Sequence, residues 1–170
     1  MKTCYLIVFF LMVSVFTSAD TNKNGGMPSI SINNQSSLEG DLGEYNQIVF
    51  TVSLSNPTDQ AVSVQYANSE ETAIADFDYI TVGGVLTFPA FTTSQELTFE
   101  IIGDEIDESD EIFHVELFSA TNATISNGTG IATILDDDET PTISLKDVSL
   151  VEGDVGNSTL NFTVTASHSS

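Results

Sequence analysis

Short runs in which every second residue is apolar constrain this chain more than any other feature. Ile48, Phe50, Val52 and Leu54 alternate with Val49, Thr51, Ser53 and Ser55. The same period of two recurs in Val62, Val64 and Tyr66, in Leu97, Phe99 and Ile101, in Phe113, Val115 and Leu117, and around Ile131, Thr133 and Leu135. Successive side chains of a strand point to opposite faces, so this pattern sets one face of a sheet on a core and the other in water. The runs follow one another at spacings of about 10–15 residues, broken by Gly, Asn, Pro and Asp, which is the signature of an all-β sandwich. No stretch after residue 20 holds a helical period for three turns. The expected strands are A over 29–38, B over 47–55, C over 61–68, D over 84–88, E over 95–102, F over 112–118 and G over 129–135, seven in an antiparallel sandwich.

The segments outside these runs have their own character. Lys2 precedes a 13-residue apolar run, Cys4 to Phe16, and Thr17-Ser18-Ala19 follows with small residues before Asp20. That order predicts a secretory signal peptide over 1–19, and so a secreted protein or the extracellular face of a membrane protein. An uncleaved anchor is the alternative, but a spanning helix needs about 20 apolar residues. Removing the signal removes Cys4, the only cysteine, so core burial or a bound ion must stabilise the mature chain. Residues 20–27 read as a flexible polar leader. Pro28-Ser29-Ile30-Ser31-Ile32 recurs as Pro141-Thr142-Ile143-Ser144-Leu145, Leu38-Glu39-Gly40-Asp41 as Val151-Glu152-Gly153-Asp154, and Phe50-Thr51-Val52 as Phe162-Thr163-Val164. The offset of 112–113 residues is one domain length. Residues 28–140 therefore read as one domain and 141–170 as the truncated start of a second repeat.

Charge then locates a site. Asp and Glu number 25 against three Lys and Arg, and no Lys or Arg lies between Lys23 and Lys146. Such a surface disfavours nucleic acid and anionic membrane as partners. In an antiparallel sandwich alternate loops share an end, so loops A–B, C–D and E–F and the exit of strand G meet. These carry 17 of the 21 carboxylates in 28–140, while the opposite end has only Asp59. Two unit charges about 4 Å apart repel by about 1 kcal/mol in water and by more where water is thin. A hard divalent cation removes that repulsion, and calcium accepts six to eight oxygens from converging loops where magnesium demands an octahedron. Zinc would want His or Cys, and the mature chain has only His114 and His168. Residues 104–111 lack the spacing and central Gly of an EF-hand loop.

The chain resembles the Calx-beta domain in Leu38-Glu39-Gly40, Thr72-Ala73 through Asp78-Tyr79, Gly84-Val85-Leu86-Thr87-Phe88-Pro89, Ile101-Ile102-Gly103-Asp104 through Asp110-Glu111-Ile112-Phe113, and Ile134-Leu135-Asp136-Asp137-Asp138. The resemblance spans 28–139 and restarts at 141. It implies a seven-stranded immunoglobulin-like sandwich that binds Ca2+ with its distal loops. The ligands it implies are Glu39, Asp78, Asp104, Glu108, Glu111, Asp136, Asp137 and Asp138, with the carbonyl of Ile106. Gly103 stands where calcium-binding members often carry Asp.

No Ser/His/Asp or Cys/His constellation is present, so no enzyme is expected, and His114 reads as a surface histidine. Asn34, Asn122, Asn127, Asn157 and Asn161 begin glycosylation sequons. The expected function is a calcium-binding extracellular module of an adhesion or cell-communication protein, with an adjacent repeat as neighbour and calcium stiffening or sensing at their junction. The alternative is a metal-independent structural or adhesion spacer whose acids are solvated and whose partners are proteins or glycans at the cell surface.

Overall fold

A computed structural model describes residues 26–167. The expected signal peptide over 1–19 and most of the leader over 20–27 lie outside the described residues.

The alternating runs become strands whose apolar face is inward. In order these are β1 (Ser29–Ile32), β2 (Gln35–Leu38), β3 (Tyr45–Leu54), β4 (Val62–Glu70), β5 (Gly84–Phe88), β6 (Ser94–Ile102), β7 (Glu111–Thr121), β8 (Thr124–Asn127) and β9 (Thr129–Leu135). They form two sheets, β6-β3-β1-β8 and β2-β9-β7-β4-β5. Ile48, Phe50, Val52 and Leu54 of β3 lie beside Leu97, Phe99 and Ile101 of β6 on one sheet and share a buried core with Phe113 and Val115 of β7 on the other. Phe50 meets Phe99 edge-on with ring centroids 5.8 Å apart, and Phe99 leans on Phe113 at 5.5 Å. Aromatic pairs of this geometry add to the area they bury.

The expected seven strands are present, with two differences. Strand A is not continuous over 29–38. It breaks at Asn33 and Asn34 and changes sheet, β1 pairing with β3 and β2 pairing parallel with β9. The two asparagines carry the crossing. The side-chain oxygen of Asn33 accepts from the Thr51 amide at 2.7 Å, and that of Asn34 accepts from the Ile131 amide at 3.0 Å. Amides on either sheet are thus satisfied where the strand leaves its ladder. The second difference is β8, a short strand parallel to β1 within the link from β7 to β9. The sandwich is antiparallel apart from these two short pairs.

On β9 the inward residues are Gly130, Ala132 and Ile134, and Ile131, Thr133 and Leu135 lie on the half-exposed face. The register sets Ala132 opposite Phe113, so a small residue makes room for a large one. Tyr79 is fully buried although it belongs to the loop between β4 and β5. Its ring stacks on Phe113 at 3.9 Å and its hydroxyl accepts from Asn68 Nδ2 at 3.0 Å. That buried ring pins the acidic loop to the core. Beyond the sandwich, β10 (Ile143–Leu145) and β11 (Val164–Ala166) pair antiparallel in a separate two-stranded sheet.

Candidate metal centre

Each acidic segment reaches one end of the sandwich by backbone anchoring. Glu39 directly follows β2, and its amide donates to the carbonyl of Leu135 at 2.9 Å. That bond sets Glu39 beside the exit of β9, and the Gly40 amide donates to Asp137 Oδ1 at 3.0 Å. Asp78 lies in the loop that Tyr79 anchors. Its carbonyl accepts from the Ile102 amide at 2.9 Å, and its Oδ2 accepts from the Ile74 amide at 2.6 Å. The loop after β6 is tied to the others by an isolated bridge between Asp41 and Asp104. The Glu108 amide donates to Asp136 Oδ1 at 3.2 Å, and the Asp136 amide to Asp110 Oδ1 at 3.3 Å.

Gly103 is where this packing is tightest. A Cβ there would lie 2.2 Å from the Gly40 carbonyl oxygen and 2.8 Å from that of Asp41. The β2–β3 loop occupies the space that any side chain at 103 would need, so no carboxylate can be presented from this position in this loop arrangement. The site instead draws on acids from neighbouring positions.

Six carboxylates converge in two groups. Glu39, Asp136 and Asp138 bring one oxygen each within 4.8 Å of one another, and Asp78, Glu108 and Glu111 do the same. The groups share a pocket lined by Glu39, Asp78, Glu108, Ser109, Glu111, Ile134 and Asp136. Of the nine residues expected from sequence, these six are brought together. Asp104 joins neither group but is close enough for its charge to act on Glu39, Glu108 and Asp138, while its Oδ1 accepts from the Ile106 amide at 2.7 Å. Asp137 holds Gly40 and is exposed, and Ile106 lies in the same loop as Asp104. Asp41, Glu44, Glu70 and Asp76 are at this end without joining either group. Ser109 and Asp110 were not among the residues expected. Asp110 has a positioning role through the Asp136 amide, for which its place in the acidic run was the only sequence signal.

The electrostatics follow from crowding without counter-charge. Glu39 is 7% exposed, and its carboxyl is pushed up to about 7 by burial and then by Asp104, Asp138, Glu108 and Asp136. Glu111 is likewise raised to about 7, by burial first and then by a carboxyl–carboxyl hydrogen bond and like charge from Asp78. Glu108 is raised by partial burial and by Asp104, Asp78 and Asp136. One oxygen of Asp138, shielded from solvent, has no hydrogen-bond partner. Buried polar atoms are rarely left so, and an orphaned acceptor among like charges suits a cation. The donor set is all oxygen, with no Cys or His in either group. It therefore fits a hard cation that accepts several oxygens and a variable geometry. His114 lies apart, its Nε2 3.0 Å from Glu71 Oε2.

Known proteins share both this sequence pattern and this fold. The family model of the Calx-beta domain matches residues 33–139. The sodium/calcium exchanger Calx of Drosophila melanogaster is 37% identical over 78 residues, which are 45% of this chain and 8% of the exchanger. Among solved structures, the apo form of the Calx CBD1 domain superposes with a TM-score of 0.56 at 24% identity, over 66% of this chain and all of that one. The structure of CBD12 from CALX1.2 gives 0.58 at 23% identity, over 70% of this chain and 48% of that one. Alternating strands, a sandwich that gathers its acidic loops at one end, and a family match across that sandwich make this chain a member of the Calx-beta domain family.

Proposed function

We propose that the sandwich binds calcium ions at its acidic end and that binding stiffens that end. The observation that carries this is the pair of three-carboxylate groups, each with its oxygens within 4.8 Å, five of the six lining one pocket that no basic side chain lines among the described residues. Glu39, Asp136 and Asp138 would hold one ion, and Asp78, Glu108 and Glu111 a second. Asp104 and Asp137 flank them, and the backbone carbonyl of Ile106 is a further oxygen donor in the same loop. Bound cations would supply the positive charge that four converging acidic segments lack. The names of the relatives, an exchanger of sodium and calcium among them, support the choice of calcium over other hard cations.

The segment from 136 to 140 leads directly from this site into residue 141, so bound ions would also stiffen the link to whatever follows. The module works as a rigid or calcium-responsive joint of a secreted or cell-surface protein in adhesion or cell communication. The apolar run over residues 4–16, with small residues after it, supports an extracellular setting. It acts by binding.

Thermal unfolding with calcium and with chelator tests the proposal. Calcium at about 100 times its Kd adds about 2.7 kcal/mol to the folded state. Extracellular calcium modules often bind at about 0.1–1 mM, so the midpoint should rise by several degrees within the millimolar range. An unchanged midpoint at 10 mM-scale calcium (roughly ten times the weaker end of that range), with a rise that only tracks total ionic strength, would instead support the metal-independent spacer.

A further inference from the structure

One edge of the sandwich is bare. Strand β5 ends the sheet β2-β9-β7-β4-β5 and pairs only with β4, from Val62 with Phe88 to Tyr66 with Gly84. Its other side presents a row of backbone donors and acceptors without a ladder partner. Natural edges are blunted by charge, by brevity or by a covering segment. The other edges of the two sheets have such protection. β2 and β8 have four residues each, and the Leu38 carbonyl at the end of β2 accepts from Asn46 Nδ2 at 3.1 Å. β6 carries Glu96 and Glu100, and its end is covered by the loop before β5. There the Ile80 amide donates to the Glu100 carbonyl and the Ile102 amide to that of Asp78, both at 2.9 Å. Among the described residues, no loop backbone bond of this kind reaches Gly84–Phe88.

The strip is also free of charge in a chain crowded with it. Between Asp78 and Glu96 no residue is Asp, Glu, Lys or Arg. Val85 is 62% exposed, and Phe91, just past the strand, is 73% exposed. Phe91 holds φ of +67°, and its amide donates to the Thr58 carbonyl at 2.8 Å. A bulky residue is uncommon in that left-handed region and needs its surroundings to keep it there.

Net charge then selects what can lie against this edge. At −22 the chain repels acidic partners, and a basic partner would be drawn to the acidic end instead. An uncharged edge fits another uncharged edge, and every copy of this chain carries one. Pairing about a two-fold axis sets β5 antiparallel to β5. It also reverses the long axis of one sandwich against the other. β5 follows the loop that carries Asp78, so it runs away from the acidic end. Each acidic end is therefore set beside the partner's opposite end, whose loops carry only Asp59. A centre at Leu86 pairs the whole strand, with Val85 opposite Thr87 and Gly84 opposite Phe88.

We propose that β5 is a self-pairing edge, through which two copies of this chain join their five-stranded sheets into one about a two-fold axis. The pairing does not depend on the calcium reading. It strengthens with added salt, because screening removes the repulsion that remains between two acidic chains.

Sedimentation velocity over about 10–1000 µM protein, the range in which small interfaces associate, tests the pairing. At about 0.15 M salt, where the screening length is about 8 Å, the mass should move from one chain toward two as concentration rises. The double variant Val85→Glu with Thr87→Glu sets like charges opposite each other across the axis and should weaken association at least about tenfold. Both positions are exposed, so its melting midpoint should stay close to the parent's. A parent that stays monomeric throughout overturns the proposal. So does a dimer that the double variant leaves unchanged, which would place the contact elsewhere, such as the exposed β10–β11 pair. Hydrogen exchange on the parent gives the location without any variant. Amides of residues 84–88 should exchange more slowly at the high end of the concentration range than at the low end, and rates there that ignore concentration overturn the proposal.

Discussion

Glu39 concentrates the chemistry of the site at one residue. Its backbone is held by a strand-end hydrogen bond to Leu135, so its side chain starts from a fixed point beside the exit of β9. Substituting Glu39→Gln removes one charge from a buried cluster and keeps the shape. The metal-free domain should melt at a higher temperature, because repulsion is relieved, while calcium affinity falls by about tenfold or more with the loss of a charged ligand. Calorimetric titration beside thermal melts reads both effects. The pH dependence has a definite sign. Glu39 and Glu111 titrate near 7 in the folded metal-free domain and near 4.5 when unconstrained, so between those values the folded state holds more protons. Metal-free stability is therefore highest below about pH 4.5 as far as these groups are concerned, and falls as pH rises toward 7. Calcium must displace those protons, so its stabilising effect should grow over the same window, checked by melts from pH 4.5 to 7.5 with and without calcium. Gly103 makes the opposite kind of prediction. Gly103→Ala forces a methyl group into the Gly40 backbone and should cost about 1–3 kcal/mol, visible in urea unfolding.

Among the elements, the loop between β4 and β5 shows how a flexible-looking acidic segment becomes a precise ligand carrier. Tyr79 is buried against Phe113, and residues 78–80 pair by backbone with the end of β6. Asp78 is thus placed by the core next to it. Tyr79→Ala should destabilise the domain by about 3–5 kcal/mol, as aromatic truncations in cores do. Tyr79→Phe keeps the ring and loses only the bond with Asn68, which should cost about 1 kcal/mol and leave calcium affinity within about threefold. The two variants together separate ring packing from hydrogen bonding, read as unfolding free energy and calcium Kd. The break of strand A has an equally local cause in Asn33 and Asn34, which satisfy amides of the two sheets that the strand leaves and joins.

On the scale of the whole molecule, 25 acidic residues face three basic ones, and most of the excess lies at one pole. Metal-free protein should gain stability with added NaCl, since screening shortens the reach of that repulsion. Calcium at about 1 mM adds little ionic strength, so a larger midpoint shift from calcium than from ionic-strength-matched NaCl identifies site binding rather than screening. Magnesium should give a smaller shift, because loops arranged for many oxygens do not present its octahedron readily.

Much of this was legible in the amino-acid order. Alternation along 48–54, 97–101 and 113–117 determined strands and their buried faces, because a strand's side chains must alternate whatever surrounds it. Loop parity in an antiparallel sandwich determined that Glu39, Asp78, Asp104 and Asp136 would share an end. Only the tertiary structure decided which acids of that end come within ligand distance, since a few ångströms depend on loop conformations that no periodicity encodes. It separated Glu39, Asp136 and Asp138 from Asp78, Glu108 and Glu111, and it left Asp41 and Glu44 outside both groups. It also decided the crossing of strand A, the inward parity of β9 and the burial of Tyr79. Those depend on what lies across the core from each residue, and contacts between residues far apart in the chain are not written in any one stretch of it.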